Sequence, residues 1–110
     1  MTRVNAVILE DDPYFSKAFK IMLERTNKFQ VTAVFSTGEE FIAEQERLFY
    51  IEVIFLDIEL PGISGSGLGK NLREIYPHLQ VVFVTGKPEF AVEAFDLEAT
   101  DYKLKYPLCY

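Results

Sequence analysis

Residues 51–56 read IEVIFL, an apolar run that is interrupted only by Glu52 and is followed directly by Asp57. A short continuous run of this kind is typical of a strand buried on both faces of a parallel sheet. Three further runs are predicted as strands: residues 4–9, 29–35 and 81–84. The chain is therefore predicted to contain at least four strands, most of them strongly apolar.

Helical patterns separate these strands. Pro13 suits the first turn of a helix, where its missing N–H has no intrahelical partner to lose, and apolar residues then recur on one helical face as far as Leu23. Shorter helical patterns lie around residues 41–42, 68–75 and 90–95, and a fifth strand is predicted to start within 102–104. Alternating strands and helices predict an α/β fold, a doubly wound parallel sheet of five strands with helices on both faces.

The composition is that of one folded domain, which we expect to occupy residues 1–110. The 110 residues, 49% of them hydrophobic, can bury a core but leave no room for a second folded unit. No apolar run approaches the ~18–20 residues that a bilayer span requires, so no membrane contact is expected. The single cysteine, Cys109, cannot form an intrachain disulfide, and a reducing cytoplasm is the simplest location.

The charge argues against direct binding of nucleic acid. The formal net charge is −6, and the basic residues are scattered along the chain. Contacts with a polyanion need clustered lysine and arginine. The functional chemistry is therefore sought in the acidic residues.

Acidic residues directly follow two of the predicted strands. Glu10, Asp11 and Asp12 follow the first strand, and Asp57 follows the third. The carboxyl ends of parallel strands meet at one edge of a doubly wound sheet, where such folds bind ligands. Converging carboxylates repel one another, and Mg²⁺, which prefers oxygen ligands, is the usual remedy. A carboxylate beside Mg²⁺ can also attack phosphorus and form an aspartyl phosphate.

A simpler interpretation of the same acids is also open. Strand ends are often acidic because they are solvated turns, and Asp12 suits the N-cap of the helix that begins at Pro13. Thr85 ends the fourth predicted strand, and Lys105 follows the fifth, at the same predicted edge. A hydroxyl and an ammonium can hold phosphoryl oxygens there. Taken alone, Thr85 would more often be an ordinary strand-end residue, and Lys105 a solvated surface lysine.

Several blocks of sequence resemble those of the response-regulator receivers of bacterial two-component systems. The blocks are VILEDDP at 7–13, IFLDIELPGISG at 54–65, VFVTG at 82–86, FAVEAF at 90–95 and ATDY at 99–102. The last two are similar to receivers joined to LytTR-type DNA-binding domains. The resemblance covers nearly the whole chain and implies a flavodoxin-like receiver fold with strand order 2-1-3-4-5.

The resemblance also implies the roles of the acidic residues. Asp57 is the expected phosphoacceptor, and a phosphohistidine on a sensor histidine kinase is expected to supply the phosphoryl group. Glu10, Asp11 and Asp57, together with the backbone carbonyl of Glu59, are the expected Mg²⁺ ligands. The receiver catalyses its own phosphotransfer and slow dephosphorylation, and it is not expected to be an enzyme otherwise.

Three further residues receive roles from the same resemblance. Thr85 is expected to bind a phosphoryl oxygen and to move inward on activation, Tyr102 to turn with it as the switch aromatic, and Lys105 to pair with the phosphoryl group. The face around residues 90–95 and Tyr102 commonly mediates dimerisation in receivers with DNA-binding outputs. A homodimer is therefore one expectation, and regulation of transcription through an output domain is another.

The sequence departs from the family pattern near its end. The family places proline directly after the active-site lysine, whereas here Tyr106 separates Lys105 from Pro107. Receivers also continue into a fifth helix, which we expect to be missing from this chain, along with any DNA-binding output domain. The loss of that helix predicts exposed apolar surface on the first helix and the sheet, and hence self-association.

Two alternative functions remain at this stage. A degenerate receiver would bind partners without being phosphorylated, which the altered lysine loop favours and the presence of Asp11, Asp57 and Thr85 disfavours. A Mg²⁺-dependent phosphohydrolase would use Glu59 as its acid–base group two residues after Asp57. The chain length and the lack of the expected Asp-x-Asp-x-Thr continuation disfavour the hydrolase.

Overall fold

The computed structural model describes residues 2–48 and 50–86 and the strand 101–104. The strands are β1 (Val4–Leu9), β2 (Phe29–Phe35), β3 (Val53–Asp57), β4 (Gln80–Thr85) and β5 (Asp101–Leu104). The helices are α1 (Pro13–Arg25), α2 (Gly38–Glu44), which continues into a 3₁₀ turn at Gln45–Leu48, and α3 (Gly65–Ile75).

All five strands form one parallel sheet in the order β2-β1-β3-β4-β5. This confirms the predicted doubly wound fold and its strand order. The predicted helix at residues 90–95 and the segment 105–110, where a fifth helix was expected to be missing, lie outside the described residues. In the part of the chain that the structure describes, no helix has the length and apolarity needed to cross a membrane.

Apolar side chains cover both faces of the sheet, because successive residues of a strand point to opposite sides. On β1, Val7 and Leu9 pack in the cluster that contains Phe41 of α2 and Leu72 of α3. The intervening residues of the strands pack against α1 on the other face. The second cluster comprises Ala6, Ile8, Phe15, Phe19, Leu23, Phe29, Val31, Val53, Phe55, Val82 and Val84. Burial on both faces explains why β1 and β3 are continuous apolar runs.

Helix α1 is fixed by its cap and by its aromatic face. The Asp12 carboxylate accepts hydrogen bonds from the backbone amides of Tyr14 and Phe15 at 3.0 and 3.2 Å, so Asp12 is the N-cap that the sequence predicts. Phe19, one turn after Phe15, packs against Phe55 in a T-shaped arrangement with the ring centroids 5.1 Å apart. These contacts hold the start of α1 beside the carboxyl edge of the sheet.

Apolar side chains are exposed on α1 and on the edge strand β2, where Val34 is 41% exposed. That a missing fifth helix causes such exposure stays a prediction. Tyr14 and Ile21 of α1 are 86% and 44% exposed. By contrast, Val82 and Val84, on the sheet face toward α1, are buried. Self-association of the chain stays a prediction.

Candidate functional site

Strand register brings the predicted site residues to one edge of the sheet. Leu9 of β1 pairs with Leu56 of β3, so Glu10 and Asp57 are the next residues on neighbouring strands. Asp57 itself pairs with Val84 of β4, which places Thr85 one residue farther along the adjacent strand. The sequence predicted that Asp57 directly follows the third strand. In the structure Asp57 is instead the last residue of β3.

Three carboxylates converge at this edge. Glu10, Asp11 and Asp57 each offer one oxygen, and these three atoms all lie within 4.8 Å of one another. Glu10 and Asp57 are 3% and 4% exposed, whereas Asp11 is exposed. Burial of like charges at such separations is unfavourable unless a cation compensates them. The donor set consists of oxygens only, so the cluster can hold a hard divalent cation.

Asp12 serves the helix rather than the carboxylate cluster. Its side chain caps α1, and its own backbone amide donates a hydrogen bond to Oε2 of Glu10 at 3.1 Å. The three acidic residues therefore have different roles. Glu10 and Asp11 supply carboxylates to the cluster, whereas Asp12 caps α1 and orients Glu10 through its backbone amide.

The loop after Asp57 folds back onto the aspartate. The backbone amide of Glu59 donates a hydrogen bond to Oδ1 of Asp57 at 3.0 Å, and the Gly65 amide donates to the Ile58 carbonyl at 3.0 Å. The Glu59 side chain itself is exposed, and the use of its backbone carbonyl as a metal ligand stays a prediction. These two hydrogen bonds orient the Asp57 carboxylate and join the start of the loop to the start of α3.

An open pocket of about 520 Å³ lies beside this loop. Its walls come from Asp11 on one side and from the β3–α3 connection and the first turn of α3 on the other. The residues on the second side are Ile58, Glu59, Leu60, Pro61, Ser64 and Ser66. The pocket therefore borders the carboxylate cluster at Asp11, its exposed member.

The remaining predicted site residues are only partly described. Thr85 is fully buried at the end of β4, and a β-carbon added at Gly86 would meet no atom of the described residues within 4 Å. Tyr102 lies in β5 and pairs with Phe83, and Thr85 pairs with Leu104. Lys105 lies outside the described residues, so its phosphoryl contact and the switch role of Tyr102 stay predictions.

Two contributors to the site were not found from the sequence. Gly65 approaches the backbone carbonyl of Asp57 so closely that any side chain there would overlap the oxygen. Glu39 of α2 accepts a hydrogen bond from the Ile63 amide at 3.4 Å, across the loop that follows Asp57. The signal for Gly65 was visible as the last residue of the IFLDIELPGISG block. Nothing local in the sequence distinguishes Glu39 from Glu40 beside it.

Comparison with known proteins agrees with this geometry. The family model described as the response regulator receiver domain matches residues 6–106. The transcriptional regulatory protein YpdB of Escherichia coli K12 is 30% identical over 104 residues, which are 93% of this chain and 41% of YpdB. The sensory transduction protein LytR of Staphylococcus saprophyticus is 33% identical over 104 residues, 93% of this chain and 40% of LytR.

The solved structures agree as well. The crystal structure of the response regulatory domain of MrkE from Klebsiella pneumoniae superposes with a TM-score of 0.83 at 29% identity, covering 94% of this chain and 84% of that one. The chain spans about two fifths of the length of the curated relatives that it matches. The similarity to LytR and to LytT of Oceanobacillus iheyensis confirms the predicted LytTR-associated subtype. This chain belongs to the response regulator receiver domain family of two-component systems.

Proposed function

We propose that this chain accepts a phosphoryl group on Asp57 from the phosphohistidine of a sensor kinase and switches conformation to control an output domain or partner. The observation that carries the proposal is the convergence of the Glu10, Asp11 and Asp57 oxygens within 4.8 Å at the carboxyl edge of the sheet. Family membership supports the same function.

The proposed cofactor is Mg²⁺. Glu10, Asp11 and Asp57 would hold it with the Glu59 carbonyl, directly or through water, and an all-oxygen set with two carboxylates from buried positions suits this ion. When bound, the ion supplies positive charge that offsets the carboxylates and the oxygens of an incoming phosphoryl group.

The proposed transfer takes place at the Asp57 carboxylate. One carboxylate oxygen forms a bond to phosphorus as the bond between phosphorus and the histidine nitrogen breaks, and the electron pair of that bond stays on the imidazole. The Glu59 amide, 3.0 Å from Oδ1 of Asp57, holds the carboxylate in place during the attack. Positioning of this kind supplies much of the rate in phosphoryl transfer, because the reaction demands little other chemistry from the protein.

Thr85 and Lys105 are proposed to bind the phosphoryl oxygens once the group is on Asp57. The position of Thr85 on the strand next to Asp57 supports its part. A phosphoryl group adds about −1.5 to −2 charges near neutral pH. A switch then follows from the movement of Thr85 toward this charge, with Tyr102 of β5 turning as Thr85 moves.

The role proposed for this chain is that of a switch rather than of an enzyme that turns over a substrate. It promotes its own phosphorylation and its own slow dephosphorylation, in a cytoplasmic setting, and its direct partner is the kinase. Relatives that are named as transcriptional regulators support a DNA-binding output as the controlled unit. A homodimer formed through the face around residues 90–95 and Tyr102 is the proposed active assembly.

The test is incubation with acetyl phosphate and Mg²⁺, followed by intact-mass spectrometry of the wild type and of Asp57→Asn. We expect a gain of one phosphoryl group in the wild type, dependent on Mg²⁺ and absent from the variant. Asp12→Asn is the matched control, because it removes a carboxylate from the same edge but keeps the backbone amide that binds Glu10. A folded wild type that gains no phosphoryl group would contradict the proposal and favour a degenerate receiver that only binds partners.

A further inference from the structure

The loop between β3 and α3, residues 58–64, is contacted by a neighbouring helix. Glu39 lies in the first turn of α2. Its Oε1 accepts a hydrogen bond from the Ile63 amide at 3.4 Å, between residues 24 positions apart in the sequence. A side chain from α2 thus reaches the far end of the loop whose near end orients Asp57.

The same carboxylate lies directly on the backbone of Gly62. Gly62 has a φ of +74°, in the left-handed region that favours glycine. A β-carbon built on Gly62 would overlap the Glu39 carboxylate, with Oε1 3.0 Å and Cδ 3.1 Å away. The missing side chain of Gly62 is therefore what gives the carboxylate access to the Ile63 amide.

The base of Glu39 is fixed by close packing of α2 on the loop and on α3. A β-carbon added at Gly38 would lie 3.3 Å from Cδ2 of Leu68 and 3.4 Å from Cβ of Ile63. Gly38 is buried, and Thr37 caps the helix by accepting a hydrogen bond from the Glu40 amide. Because the first turn of α2 sits firmly at this place, the Glu39 carboxylate has a short and defined path to the loop.

We propose that Glu39 is a positioning residue for the loop at 58–64 and thereby for the cation site at Asp57. The loop is held near both ends: the Glu59 amide binds Asp57 at its start, and Glu39 binds the Ile63 amide and covers Gly62 near its end. Fixing both ends reduces the conformations in which the Glu59 carbonyl points away from the carboxylates. The part of the inference that concerns Mg²⁺ rests on the proposed function.

The experiment compares Glu39→Ala, Glu39→Gln and Glu40→Ala in the whole chain by NMR. The two readouts are the hydrogen exchange rate of the Ile63 amide and the dissociation constant of Mg²⁺ from titration of amide shifts. Losing a hydrogen bond to a charged acceptor at an exposed site is expected to speed Ile63 exchange by about tenfold and to weaken Mg²⁺ binding by about threefold in Glu39→Ala.

The control variants separate positioning from charge and from helix stability. Glu39→Gln keeps an acceptor oxygen, so both readouts should return to within about twofold of the wild type. Glu40→Ala removes the same charge from the same helical turn and also a contact with the Thr37 hydroxyl. It should nevertheless leave Ile63 exchange and Mg²⁺ binding unchanged, because the hydrogen bond to the Ile63 amide is made by Glu39.

A second variant tests the contact from the other side. Gly62→Ala forces a β-carbon into the Glu39 carboxylate, so its loss of Mg²⁺ affinity should be smaller when Glu39 is already alanine. Equal losses in both backgrounds, or Ile63 exchange in Glu39→Ala that matches Glu40→Ala, would overturn the positioning role. A wild type that binds no Mg²⁺ and gains no phosphoryl group defeats the proposed function instead, and Ile63 exchange still decides whether Glu39 holds the loop.

Discussion

Gly65 lies against the backbone carbonyl of Asp57 so closely that a β-carbon would overlap the oxygen and approach the carbonyl carbon to 2.7 Å. Its amide donates a hydrogen bond to the Ile58 carbonyl at 3.0 Å. The first residue of α3 therefore rests on the backbone of the proposed phosphoacceptor. This contact sets how tightly the loop at 58–64 turns back to the site.

Gly65→Ala is expected to lower the free energy of unfolding by about 3 kcal/mol, because backbone rather than a flexible side chain must move to make room. Urea denaturation of the purified chain measures this. Gly86→Ala is the control, since its added carbon meets no atom of the described residues within 4 Å, and its effect should stay within about 0.5 kcal/mol. Equal stability of the two variants would show that the Gly65 contact is not tight in solution.

Gly69→Ala is expected to destabilise the chain although alanine favours a helix more than glycine by about 1 kcal/mol. A β-carbon at Gly69 would lie 2.7 Å from Cζ of the fully buried Phe83, and overpacking of this kind costs about 1–3 kcal/mol. Phe83→Leu shortens the opposing side chain. In urea denaturation, the added cost of Gly69→Ala should fall in the Phe83→Leu background, and strictly additive effects would contradict the steric explanation.

Asp12→Ala should cost about 1 kcal/mol of stability through loss of the α1 cap, with two amides at 3.0 and 3.2 Å left without their acceptor. Asp12→Asn keeps the accepting oxygen and should cost only a few tenths of that amount. Neither variant should change the Mg²⁺ dissociation constant by more than about twofold, because the Asp12 carboxylate caps the helix. A large loss of Mg²⁺ affinity in Asp12→Asn, measured by titration, would instead make Asp12 a ligand.

Mg²⁺ should stabilise the wild type by about 2.7 kcal/mol at a hundredfold excess over its dissociation constant. Glu10→Gln should lose most of this response. In EDTA it should be more stable than the wild type by about 1 kcal/mol, since it removes one of three like charges whose oxygens lie within 4.8 Å. Urea denaturation in Mg²⁺ and in EDTA gives both values. A Glu10→Gln variant that is less stable in EDTA would mean that the carboxylates do not repel one another.

The order of the elements was predictable because each buried strand is a short apolar run next to a helical pattern. The bounds predicted for β1 and β2 agree with the structure, and Asp12 caps α1 at the predicted place. The predicted bounds of β3 and α3 were displaced. Asp57 belongs to β3 because it pairs with Val84, and α3 begins at Gly65 rather than near Leu68, since glycine and serine carry no apolar periodicity.

The candidate site divides in the same way. The linear pattern alone places four site residues at strand ends: Glu10, Asp11, Asp57 and Thr85. A parallel sheet then brings them to one edge, because the carboxyl ends of its strands lie on the same side. The separation of these residues does not follow from the linear pattern. It depends on the pairing of Leu9 with Leu56 and of Asp57 with Val84, which is a property of the assembled sheet.

The sequence by itself determined the fold class, the edge of the sheet that carries the chemistry and the residues that stand there, because hydrophobic periodicity and position along the chain encode them locally. Only the tertiary structure decided that Glu39 reaches the Ile63 amide and that Gly65 rests on the Asp57 carbonyl. Both contacts join elements that are brought together by packing, and the distance between packed backbones depends on the whole core rather than on any local pattern.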